Sequence, residues 1–260
     1  MSSQTESKLN RLLKQWPKGT VATQPWLLQL GVPRQLARRY VSSGWMERLG
    51  RGAFVRPGEA VDWLGALYAL QSQLALSVHA AGLTALSLKG MAHYLQVGRR
   101  QDVFLFGERR ERLPAWFLNH SWDVRLRYHC PNLFDSEVPA GFTRLERDDY
   151  DVRISTPERA ILEVIHLATT NEAVEHAIQL MGGLSTLRPG VVQELLEVCR
   201  SVKVKRLFLW AADYSGHPWF ARLSMKVLDL GVGKRVLYRG GRLDRTYQIT
   251  VPPAEALGGV

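Results

Sequence analysis

Leu9, Leu12, Leu13 and Trp16 recur at the three- and four-residue spacing of one helix face, so residues 5–16 read as an amphipathic helix ended by Pro17 and Gly19. Thr23 is placed to cap a second helix that carries Trp26, Leu27 and Leu30 inward, and Gly31 stops it. Pro33 sits where a third helix begins; that helix runs to about Ser43 and stops at Gly44. Two short strands follow, Trp45–Leu49 and Ala53–Arg56, joined through Gly50-Arg51-Gly52 as a tight hairpin, and Pro57-Gly58 closes the unit. Three helices and a hairpin within 60 residues are the plan of a winged helix-turn-helix.

Beyond Asp62 the texture changes. Leu64, Leu67, Tyr68 and Gln71 predict a helix over residues 62–74, and Ala80–Leu88 a second helical piece. Val103–Phe106, Val124–Tyr128 and Val152-Arg153-Ile154 are strand-like, and Pro114-Ala115-Trp116-Phe117 reads as an apolar loop or strand edge. Ser155 and Glu158 have capping-box spacing with Pro157 in the first turn. They announce helices at about 158–168, 171–181 and 189–200. The short apolar run Lys205–Ala212 fits a helix and a strand equally. Gly231-x-Gly233 and Gly240-Gly241 then punctuate a basic stretch before a last strand, Tyr247–Val251. The expected fold class is α+β: a winged helix-turn-helix over residues 1–60, then a larger mixed α/β domain over 61–260. The boundary rests on charge and texture alone.

On a helical wheel, Leu36, Ala37, Tyr40 and Val41 fill one arc of the third helix, roughly 140° wide. Arg34, Gln35, Arg38, Arg39 and Ser42 fill the opposite arc. Guanidinium, amide and hydroxyl groups are those that pair with guanine edges, adenine edges and phosphates in a major groove. The hairpin adds Arg51 at its tip and Arg48 and Arg56 on its flanks, placed to hold a phosphate backbone or enter a minor groove. An ordinary solvated face explains an arginine-rich helix taken alone. The combination with helix order and a glycine-tipped hairpin favours DNA.

Charge sharpens this reading. The chain of 260 residues has a formal net charge of +10, and both ends hold the excess. Residues 1–60 have ten Lys/Arg against three acids, and residues 200–245 have eleven against three, whereas the stretch between is mildly acidic. Such basic regions are the footprint of a polyanionic partner. In the second region Arg200, Lys203, Lys205, Arg206, Lys234 and Arg235 offer a possible further basic surface, for DNA, for an acidic partner or simply for solvent. No run of 18 apolar residues is present, so no membrane partner is expected. The polar start Met1–Glu6 argues against a secretory signal, and Cys130 and Cys199, far apart and without ligand spacing, point to a reducing, cytoplasmic setting.

Chemistry is thinly represented. Asp149 and Asp151 stand at strand spacing and could hold a divalent ion for nucleic-acid chemistry, but no phosphate-cradling turn precedes them. Glu146, Arg147 and Asp148 crowd them with mixed charge. His79, His93, His120 and His129 lack metal-ligand spacing. Gly231-Val232-Gly233-Lys234 lacks the first glycine and the hydroxyl of a phosphate loop. No cofactor, no metal and no catalytic residue are expected.

Several stretches together resemble the AbiEi family, antitoxins of type IV toxin–antitoxin systems used in abortive phage infection. They are Tyr40–Pro57, Val61–Gln71, Gly90-x-Ala92-His93-Tyr94-Leu95, Leu113–Phe117, Ser155–Ala160 and Val204–Leu209, in order along nearly the whole chain. The resemblance implies a bacterial protein that represses its own operon at inverted repeats in double-stranded DNA. It also implies a C-terminal domain that opposes a nucleotidyltransferase-like toxin, without need of a stable complex. By position in the third helix and hairpin, it implies DNA contact by Arg34, Arg38, Arg39, Arg48 and Arg51. The competing readings are a protein-interaction module that has lost DNA, and a metal-dependent nucleic-acid enzyme using Asp149 and Asp151.

Overall fold

The apolar stripes predicted above become a chain of short helices and strands in the computed structural model, which describes residues 8–92 and 100–257. In order these are α1 (Lys8–Gln15), β1 (Ala22–Thr23), α2 (Gln24–Gln29), α3 (Arg34–Ser42), β2 (Glu47–Gly50), β3 (Ala53–Val55), α4 (Trp63–Tyr68), β4 (His79–Ala80), α5 (Gly82–Leu88), β5 (Asp102–Phe106) and α6 (Ala115–Asn119). They continue as β6 (Arg125–His129), β7 (Phe142–Glu146), β8 (Asp151–Ser155), α7 (Pro157–Leu167), α8 (Asn171–Gly182), α9 (Pro189–Glu197), α10 (Val202–Tyr214), β9 (Arg242–Asp244) and β10 (Ile249–Val251). The expectations at residues 5–7 and at His93 lie outside the described residues. The chain divides into two compact units, one of residues 1–79, 96–130 and 144–153, the other of 80–95, 131–143 and 154–260.

In the first unit α1, α2 and α3 turn their apolar faces onto one small core. Leu12, Trp16, Leu27, Val32, Ala37, Met46 and Phe54 are buried together, with Leu36, Tyr40 and Val41 packed against them. The breaks fall where glycine permits a left-handed backbone: Gly31 (φ +77°) ends α2 and Gly44 (φ +73°) ends α3. β2 and β3 form the expected hairpin, with a register irregularity between Arg48 and Gly50. A third strand, β1, joins the other edge of β3, giving the order β1-β3-β2. Two residues carry no periodicity, so β1 had no signature to read. Its backbone is held from a distance: the Gln73 side chain accepts from Thr23 N and donates to Val21 O, both at 2.8 Å. Thr23 does occupy the N-cap position of α2, but its hydroxyl makes no capping bond. That correction follows from burial, which aims the side chain into the interior.

Asp62 caps α4 by accepting from Gly65 N at 2.8 Å, and the helix continues as π turns over Ala69–Gln73. β5 and β6 pair in parallel from Asp102↔Arg125 to Phe106↔His129. The segment expected as a loop or strand edge is instead the helix α6, with Pro114 as its N-cap. Its aromatic residues favour strands on propensity, but packing overrides this, burying Phe117 completely and Trp116 nearly so.

In the second unit one large core gathers α5, α7, α8, α9 and α10, with β10 contributing Ile249 and Val251. Lys205–Ala212 resolves as helix within α10, whose Ser201 cap accepts from Val204 N. The capping box at Ser155 is not formed: Thr156 is the N-cap of α7. Ser155 instead donates its hydroxyl to the fully buried Glu163, which also accepts from Gly82 N and from Arg159 Nε. Ala80, expected to be helical, lies in β4 and bridges Ile154 in parallel.

Candidate nucleic-acid interface

The amphipathic split of α3 is realised. Leu36, Ala37, Tyr40 and Val41 face the core, whereas Arg34, Gln35, Arg38, Arg39 and Ser42 are exposed. The Ser42 hydroxyl donates to Arg39 O at 2.9 Å and is partly satisfied by its own helix. Across from α3 the hairpin presents Arg48 and Arg51, also exposed. Gly52, at φ +78°, makes the turn that places Arg51 at the tip, and its carbonyl accepts from Gln24 N at 2.9 Å. Arg34, Arg38, Arg48 and Arg51 line one cleft of about 900 Å³ together with Gln24, Pro25 and Phe54. Pro114, Ala115 and Trp116 form a further wall that the sequence reading missed. The apolar run at 114–117 was the available signal; its distance along the chain from the hairpin concealed the association.

The electrostatics of this face are one-sided. Among the described residues, no carboxylate or hydrogen-bond acceptor engages the guanidinium groups of Arg34, Arg38, Arg39, Arg48 or Arg51. Several arginines elsewhere are partnered, Arg125 with Asp102 at 2.6 Å, Arg188 with Glu158 at 2.9 Å and Arg200 with Asp135 at 2.8 Å, so this face differs in gathering five unengaged guanidinium groups on one helix and one hairpin. Unneutralised cations of one sign, gathered on a convex helix and an opposed hairpin, suit a polyanion.

Arg56 departs from its expected place. It is turned inward, donating to the carbonyls of Leu13 and Trp16 at the end of α1, with its guanidinium 5.7 Å from the Trp16 ring centroid and Glu59 at 3.8 Å. A cation at a helix C-terminus satisfies orphan carbonyls and complements the helix dipole, which is why this arginine is structural.

The second basic surface also contracts. Lys205 and Arg206 are 4% and 3% exposed. Arg206 spends its guanidinium inside, donating to Leu230 O, Gly231 O, Gly233 O and Gln248 O at 2.6–3.1 Å. Gly231-x-Gly233 is therefore a turn folded around an arginine. Lys203 is half-buried, its ammonium donates to His166 O at 3.4 Å and to Ala168 O, and burial lowers its pKa. Arg200 is paired as above. Lys234 and Arg235 remain exposed.

Asp149 and Asp151 are not a free pair. Asp149 accepts from Lys18 N at 3.2 Å, and Asp151 is ion-paired with Arg144. Tyr150 between them packs on Tyr68, and burial followed by the nearby Asp62 charge pushes its hydroxyl up to about 12. Among the described residues no three His, Cys, Asp or Glu side chains come together as a metal site. Cys130 and Cys199 are free thiols. Among the same residues no helix is long and apolar enough to cross a membrane.

Comparison with known proteins places the chain in a class. Residues 5–97 match the family described as transcriptional regulator, AbiEi antitoxin N-terminal domain. Residues 100–252 match the one described as transcriptional regulator, AbiEi antitoxin, type IV TA system. The protein is thus of the transcriptional-regulator class. More particularly, the chain belongs to the AbiEi antitoxin family of type IV toxin–antitoxin systems. Its fold is similar to that in the crystal structure of the RV2827C protein from Mycobacterium tuberculosis, with a TM-score of 0.55 and 17% identity, over 96% of this chain and 91% of that one. At that identity the likeness concerns the fold alone. No curated protein matches the sequence.

Proposed function

We propose that this antitoxin binds double-stranded DNA at an inverted-repeat operator and represses its own operon, with residues 1–60 as its DNA-reading winged helix-turn-helix. α3 enters the major groove with Arg34, Gln35, Arg38, Arg39 and Ser42, and the wing holds the backbone with Arg48 and Arg51. The observation that carries the reading is the set of five exposed arginines without a carboxylate partner among the described residues. Free guanidinium groups need not be released from an existing ion pair, and each phosphate they meet releases a counterion. Residues 61–260 supply the antitoxin action against a nucleotidyltransferase-like toxin, without a stable complex and without catalysis by this chain. In this reading Lys234 and Arg235, with the exposed Lys226, Arg239, Arg242 and Arg245 of the same stretch, supply a supporting basic surface.

The test is a salt titration of DNA affinity with operator and unrelated duplexes. With about five phosphates neutralised, log affinity falls against log salt with a slope near −4.5. Arg38→Ala with Arg39→Ala weakens operator preference by roughly 1–3 kcal/mol for each base edge no longer read, while the fold persists. Equal affinity for all duplexes and no response to these substitutions rejects the assignment.

A further inference from the structure

We infer that α6 fixes the pose of the hairpin, so that Gly50 and Trp116 are positioning residues for Arg48 and Arg51 although neither presents a charge to DNA. The inference rests on the DNA-binding reading for its consequence but not for its geometry.

Gly50 is not among the residues with a left-handed backbone; the turn's positive φ belongs to Gly52. Its lack of a side chain is required by space. A Cβ at Gly50 would lie 2.8 Å from Trp116 Cβ, closer than packed carbon atoms allow, and 3.3 Å from Trp116 Cα, itself a tight contact. The strand backbone therefore rests directly on α6. The helix itself is firmly seated: the Trp116 ring meets Phe117 edge-on at 5.8 Å, and Phe117 tilts against Trp122 at 5.7 Å. Trp122 Nε1 donates to Phe117 O at 2.7 Å. β1 holds the other edge of β3, whereas β2 is an outer strand, paired on one side alone; this outer strand is the one backed by the aromatic block. Pro114, Ala115 and Trp116 also wall the cleft that Arg48 and Arg51 line. The register irregularity between Arg48 and Gly50 bends β2 where it meets the helix.

The consequence is that the wing's contribution to DNA binding depends on a residue 66 positions further along the chain. The experiment uses the full chain with Gly50→Ala and, separately, Trp116→Leu, which retains Cβ and removes the indole. Amide hydrogen exchange over residues 47–55 is measured without DNA, and affinity is measured across salt with and without Arg51→Ala. In each variant the hairpin amides are expected to exchange about tenfold faster, affinity to fall about tenfold, and the salt slope to become less steep by about two, while Arg38→Ala still weakens binding. Arg51→Ala, costly in the unaltered chain, should then add little. Unchanged hairpin exchange in both variants overturns the inference, as does an Arg51→Ala loss of the same factor in every background. A chain that shows no salt-dependent DNA binding removes the functional consequence, and the exchange data still decide the geometry.

Discussion

At the scale of single residues, charge and role separate. Arg51 and Arg56 are close in sequence and both basic, yet one is exposed at a hairpin tip and the other closes a helix from within. Arg56→Ala leaves the Leu13 and Trp16 carbonyls without their donor and removes the cation from the Trp16 ring. It should cost about 2 kcal/mol of stability in urea unfolding while leaving the salt dependence of DNA binding unchanged. Arg51→Ala should do the reverse. Glu158 carries a pH signature. Burial opposes its ionisation, but hydrogen bonds from the Arg188 guanidinium and backbone N–H outweigh burial and hold its pKa below the ordinary 4.5. A carboxylate depressed in the folded state stabilises it above the unfolded pKa, and that stabilisation is lost as pH falls through the folded value. Glu158→Gln should therefore lower stability by about 1 kcal/mol at pH 7, a modest figure because the Arg188 side chain is 56% exposed. When unfolding is followed against pH, the difference between this variant and the unaltered chain should shrink progressively below pH 4.5. A difference that stays constant down to about pH 2 contradicts the linkage.

At the scale of elements, what could be read in the sequence is what repeats. α1, α3, α7, α8 and α9 show apolar residues at helical spacing, with glycine or proline near their ends, and each was foreseen within a few residues. The arginine face of α3 was legible for the same reason, and the hairpin tip from its Gly50-Arg51-Gly52 turn. β1 was not, being two residues long and defined by its pairing with β3 and by Gln73 from far along the chain. α6 was missed because five residues are too few for a period and its aromatics suggest strand. Arg206 was misplaced because a basic residue in sequence does not disclose that carbonyls await it inside. Thr23 exposes the difference sharply. Its position suggests a cap worth about 1 kcal/mol, yet its buried hydroxyl finds no partner among the described residues. Thr23→Val should consequently leave thermal stability unchanged or raise it by up to about 1 kcal/mol. A loss of that size would restore the capping role.

At the scale of the whole molecule, the exposed arginines of residues 1–60, proposed above to read DNA, depend on chain that lies well beyond them. The first compact unit draws on residues 96–130 and 144–153 as well as the N-terminal stretch. Thr23 N and Val21 O are satisfied by Gln73, Lys18 N by Asp149, and Gly50 rests on Trp116. Gly65 comes so close that a Cβ there would lie 1.9 Å from Gly19 O. A polypeptide ending at residue 60 loses all of these supports together. A domain of about 60 residues buries only about 60% of its unfolded surface and has little stability to spare. Such a fragment should show weak helical circular dichroism and amide protons that exchange without protection. In the full chain the amides of α1, α3 and β3 should be protected. The fragment's affinity for DNA should fall towards that of an unstructured cation of the same charge, keeping salt dependence while losing preference for the operator. A fragment that folds cooperatively and keeps that preference would show that the distant segments only cover the DNA-reading unit. If it fails to fold, as expected, sequence readout requires the core built from all three stretches.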